Sequence, residues 1–138
     1  MPAVTRWYVK TSLGYLLAAL LVGIAVVTQP VVDSFGPLAG FMPVYLHLFV
    51  VGWLTQFIFG VTFWLFPKYS RELPRGYEWL AWTTFGLLNV GLLMRAAGEP
   101  LVASGLTAWG WLLVGSAVLQ WAAGMCFVVN TWARVKEK

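Results

Sequence analysis

Histidine and cysteine each occur once in the 138 residues, as His47 and Cys126. No disulfide can close within the chain, and no Cys-x-x-Cys metal motif exists. Cys126 lies in an apolar run and reads as a small packed hydrophobe. Charge is also scarce: 10% of residues are Asp, Glu, Lys or Arg, against roughly 25% in an average soluble domain. No acid lies inside an apolar run, and no such run is broken in its middle by Gly-Pro, which argues against a transporter. Gly-rich phosphate loops, hydrolase and kinase motifs, linkers and internal repeats are all missing. A soluble enzyme domain is excluded on these grounds.

What the chain has in quantity is apolar surface. Sixty per cent of residues are hydrophobic and nine are Trp, a residue suited to membrane interfaces. A spanning helix needs about 20 mostly apolar residues. The charges and prolines cut the chain into four such segments, at about 11–31, 43–66, 77–97 and 104–132. The expectation is an all-α integral membrane protein, one four-helix domain over residues 1–138. The first run is too long for a signal-peptide core of about 7–15 residues and lacks a small-x-small cleavage site. It reads as a retained transmembrane helix. Trp7, Trp79, Trp109 and Trp132 fit an aromatic belt.

The net charge of +4 reads as a topology signal and not as a nucleic-acid footprint. Arg6 and Lys10, then Lys68, Arg71 and Arg75, then Arg134, Lys136 and Lys138 fall on one side of a four-span topology. The other two connections carry Asp33 and Glu99. The positive-inside rule places both termini in the cytoplasm, and the membrane is expected to be a bacterial or archaeal inner membrane. The turn-rich stretch DSFGPLAGF is expected to lie along the outer surface.

His47 opens the second span. At 100° per residue, Val51, Leu54, Ile58, Val61 and Leu65 fall within about 40° of it. Gly52, Gln56 and Gly60 stand opposite, where small residues let another helix backbone approach. The histidine face suits a planar apolar ligand such as a porphyrin, or lipid tails, and His47 itself either ligates such a group or simply hydrogen-bonds a carbonyl or interfacial water. Arg95 lies in the third span about one turn from its outer end, at the depth of His47. It either snorkels to outer headgroups or pairs with an anion such as a heme propionate. Gln56, Asn89 and Gln120 read as packing devices that hydrogen-bond between helices.

The stretch HLFVVGWLTQFIFGVTFWLFP fits H-x4-G-W-x6-G-x3-W-x2-P through His47, Gly52, Trp53, Gly60, Trp64 and Pro67. It resembles the helix of C-type heme–copper oxidase catalytic subunits that carries the His-x-His heme ligands. The match covers about a sixth of the chain. In that family twelve spans form three arcs of four, so this chain resembles one arc. The resemblance implies that His47 corresponds to the low-spin heme ligand. The position of the high-spin heme ligand is Tyr45 here, and the three copper-site histidines have no counterpart. Oxygen reduction at a heme–copper centre is therefore excluded for this chain alone.

With one histidine, bis-histidine ligation needs two protomers. The expected protein is a homo-oligomer, dimer or trimer, that binds heme b through His47. Arg95 would pair with a propionate, Val51, Leu54 and Ile58 would contact the ring, and Trp53 would pack nearby. It would carry electrons or sense a diatomic gas. Two other readings stay open. One is a non-catalytic subunit among respiratory-chain components. The other is a trimer whose His47 side chains converge on Cu or Zn.

Overall fold

A computed structural model describes residues 1–31, 40–72 and 74–135 of the chain. Among these, the long elements are four helices and there is no strand. They are α1 (Ala3–Thr28), α2 (Phe41–Leu65), α3 (Glu78–Ala103) and α4 (Thr107–Trp132). Each is long and apolar enough to cross a membrane. Asp33, Lys136, Lys138 and most of the DSFGPLAGF stretch lie outside the described residues.

Two helix ends differ from the sequence expectation. Helix α1 starts at Ala3 and not near residue 11, so Arg6 and Lys10 sit exposed on its first turns. Long basic side chains tolerate this because their stems lie along the helix while their heads reach out. Helix α3 does not stop at residue 97 but continues through Pro100 to Ala103. Proline inside a helix costs a hydrogen bond, and packing holds the turn here. Gly98 abuts Leu112 and Leu113 of α4, and the Ser104 N–H closes the end on the Pro100 carbonyl at 2.9 Å.

Helix α2 is not a uniform α-helix. It runs α over Phe41–His47, π over Leu48–Thr55, and α again over Gln56–Leu65. The Thr55 hydroxyl donates to the Val50 carbonyl, five residues back, at 2.9 Å, which supports the wide turn. Stretches of π-helix are rare and cluster at functional sites.

The glycines of α2 pack within the chain. A Cβ on Gly52 would lie 2.8 Å from both Leu92 Cδ2 and Tyr15 Cγ, and one on Gly60 would lie 2.6 Å from Tyr8 Cβ. So the small-residue face of α2 receives α1. Tyr8 cannot yield readily: it is fully buried and donates its hydroxyl to the Ala81 carbonyl at 3.1 Å, tying α1 to α3. Gly60→Ala is therefore expected to destabilise the fold by about 1–3 kcal/mol, the usual cost of overpacking. Thermal unfolding in detergent checks it, and an unchanged midpoint would show that α1 is not clamped there.

Two clusters fill the bundle. At one end Tyr8, Phe63 and Ala81 pack with Val4, and Phe59, Phe85 and Phe127 lean on them. The Phe59 and Phe127 rings stack 3.7 Å apart at 3°, joining α2 to α4. At the other end Ala19, Val44, Leu48 and Leu92 form the second cluster. Gly40, at φ +82°, starts α2 against the end of α3, and a Cβ there would sit 2.6 Å from the Glu99 carbonyl oxygen. Only glycine fits that position.

The first end gathers the N-terminus, the α2–α3 connection and the C-terminus. Arg134 is fully buried there. Its Nε donates to the Pro67 carbonyl at 3.0 Å, Nη2 to Phe63 and Phe66 at 3.2 and 2.8 Å, and Nη1 to Arg75 at 3.3 Å. It thus caps the Phe63 carbonyl in the last turn of α2 and the Phe66 and Pro67 carbonyls just past its end. Asn130 does similar work beside it. Its Oδ1 accepts from the Tyr77 N–H at 2.9 Å and its Nδ2 donates to the Tyr77 carbonyl at 3.1 Å.

Candidate functional site around His47

His47 lies six residues into α2, about 9 Å along the axis at 1.5 Å per residue, and is half-buried. Its Nδ1 lies 2.8 Å from the Pro43 carbonyl oxygen. A carbonyl only accepts, so Nδ1 carries the proton and donates. That leaves Nε2 as the nitrogen with the free lone pair in the neutral ring. Nε2 has no partner among the described residues. An imidazole anchored through one nitrogen to a backbone carbonyl, with the other open, is the usual arrangement of a metal-ligating histidine.

The residues expected around His47 do not share one face. A π turn bonds five residues apart and takes more residues per turn than an α turn. Steps of 100° therefore do not carry across Leu48–Thr55. Val51 packs inward on the Ala19–Leu92 cluster, while Leu54 and Ile58 point outward at 43% and 49% exposure. Trp53 is half-buried with its ring centroid 4.7 Å from that of Phe49. Tyr45 turns to α1, its ring against Gly23. An apolar groove of about 370 Å³ opens beside Tyr45 and Met42, lined from α1 by Leu20, Gly23 and Val27. His47 does not line it.

Arg95 has a partner of its own. Its Nε donates to Glu99 Oε1 at 3.1 Å, one turn along α3. Nη1 and Nη2 have no partner among the described residues. Among those residues no group of three His, Cys, Asp or Glu side chains is arranged to hold a metal.

No family model, curated protein or solved structure matches the chain.

The polar residues within the helices behave unequally. Asn89 does bridge helices, accepting from the Tyr15 hydroxyl at 2.8 Å. Gln120 bonds Ser116 within α4 at 2.9 Å. Gln56 is fully buried, and neither its Oε1 nor its Nε2 has a partner among the described residues. An orphaned buried amide costs about 1–3 kcal/mol. Gln56→Met, close in volume, is expected to raise stability by that order. A lowered unfolding midpoint in detergent would mean that the amide is satisfied and structural.

Three features have no counterpart in the sequence reading: the π turn, the buried role of Arg134, and the Asn130–Tyr77 clasp. Arg134 carried a topology signal in the sequence, and nothing local distinguished it from its lysine neighbours.

Proposed function

We propose that this chain is a membrane protein that grips a b-type heme between copies of itself, with His47 Nε2 as axial ligand. It would serve electron transfer or gas sensing. One observation carries the reading: the Nδ1–H bond to the Pro43 carbonyl, which leaves Nε2 of the half-buried ring without a partner among the described residues. The π turn that follows immediately adds weight, because such turns concentrate at functional sites.

The donor set fits one axial position per chain. The methionines offer no obvious second ligand: Met42 and Met125 are exposed, and Met94 packs toward Gly115 of α4. The second ligand is then His47 of another copy. Bound heme would supply a one-electron centre. His47 would hold the iron, and the Nη atoms of Arg95, without a partner among the described residues, would be available to a propionate. The clustering of Arg6, Lys68, Arg71, Arg75 and Arg134 at one end supports cytoplasmic termini.

The test is the visible spectrum of protein produced with heme in supply. The expected result is a Soret band with sharp low-spin bands on reduction. Colourless protein that also ignores added hemin would overturn it. Colourless protein with about one Zn or Cu per three chains would assign the same Nε2 atoms to a bare metal on a three-fold axis. Colourless protein that co-purifies with a larger complex would favour a non-catalytic respiratory subunit.

A further inference from the structure

A hollow of about 400 Å³ opens beside Arg134, between the end of α2, the α2–α3 connection and the C-terminal turn. Lys68, Arg75 and Arg134 line it together with Trp64 and Phe66, and no acid among the described residues does. The Arg134 guanidinium lies 6.0 Å from the Phe66 ring centroid. Its bonds to four carbonyls solvate the charge without neutralising it. Burial first, and Arg75 second, pull its pKa below the ordinary arginine value. Among the described residues no acid forms a salt bridge with Arg134.

Glu72 and Glu78 line a second hollow with Pro2 and Val4, which shares Pro74 and Arg75 with this one. Among the described residues the one salt bridge is Arg95–Glu99, at the opposite end. The Lys68 and Arg75 side chains are exposed and form no ion pair among those residues, and Trp64, which lines the hollow, is exposed. A concave basic site lined also by an indole, a phenyl ring and prolines matches a ligand with a phosphate head and an apolar body.

We infer that this hollow binds a phosphate group, presented by an acidic phospholipid of the cytoplasmic leaflet. The inference rests on the helices crossing a membrane and not on heme binding. Lys68 and Arg75 hold the phosphate oxygens at the mouth, Arg134 supplies field from below, and Trp64 lies along the acyl chains. Free inorganic phosphate shares the chemistry but makes no use of the apolar lining.

Native mass spectrometry of delipidated protein, titrated with phosphatidylglycerol or phosphatidylcholine, tests it. Phosphatidylglycerol is expected to bind about tenfold more tightly, since each basic residue near a bilayer surface contributes substantially to acidic-lipid attraction. Lys68→Gln with Arg75→Gln should erase the preference. Both side chains are exposed and without a described bond, so the melting temperature should hold. Arg6→Gln with Lys10→Gln removes equal charge at the same end and should keep the preference. Displacement of the lipid by millimolar inorganic phosphate would support the phosphate site and assign its source to solution. Equal binding of the two lipids, or equal loss in the two double variants, would overturn the proposal.

Discussion

Arg134→Ala is expected to lower the unfolding free energy by about 2–4 kcal/mol, because it leaves several buried or half-buried carbonyls without donors and each such loss costs about 1–3 kcal/mol without adding fully. The side chain serves four carbonyls, Phe63 in the last turn of α2, Phe66 and Pro67 just past its end, and Arg75 further along the α2–α3 connection. Hydrogen bonds from a charged donor contribute roughly 1.5–3 kcal/mol each, though bonds sharing one side chain do not add fully. Truncation leaves those carbonyls without donors and opens a void under Phe66. It also removes a cation from the negative end of the α2 dipole. Arg134→Lys keeps the charge but not the planar fork, so it should recover less than half of the loss. Chemical unfolding in detergent, followed by Trp fluorescence, reads both variants. A loss below about 1 kcal/mol in the alanine variant would show that the C-terminal turn is not what fastens α4 to α2.

The helices were legible because long apolar runs of spanning length favour a helix, whose backbone bonds itself. Apolar length, punctuated by charge and proline, placed four segments, and the structure has four helices in those places. The ends were less legible. Read locally, Arg6 and Lys10 bar α1 from starting early, but a helix carries exposed basic residues beyond its apolar part at little cost. Read the same way, Pro100 ends α3, but tertiary packing on Gly98 and Gly40 outweighs its local penalty. The stacked face of Gly52, Gln56 and Gly60 was legible because every fourth residue stays roughly in line in either kind of turn. The face below His47 was not, because nothing in LFVVGWLT announces a change of helical pitch. Without that change Leu54 and Ile58 would align with His47 and Val51. With it, Val51 turns to the core and the other two turn outward. The same limit hid Arg134: its role depends on carbonyls about 60 to 70 residues away in sequence, which no local pattern encodes.

His47→Ala is expected to abolish heme binding outright, with no residual Soret band after incubation with hemin. No other histidine exists to substitute, and the one cysteine lies far along the chain in α4. The variant should still fold. The only bond His47 makes among the described residues is local, to Pro43 in its own helix, and a single neutral hydrogen bond is worth about 0.5–1.5 kcal/mol. A melting temperature close to that of the wild-type apoprotein would therefore separate loss of ligand from loss of structure. Stoichiometry sharpens the prediction. If each protomer offers one Nε2 and the iron takes two, hemin titration should saturate near one heme per two chains. The mass in detergent should rise to a multiple of two protomers as it does so, and the His47→Ala protein should stay at its apo mass. Binding lost without any change in assembly would mean that the second axial position is not a histidine of a second copy. Binding that persists in His47→Ala would remove the imidazole from the site altogether, and the Nδ1–H bond to the Pro43 carbonyl would then be a local helix contact with no bearing on a ligand.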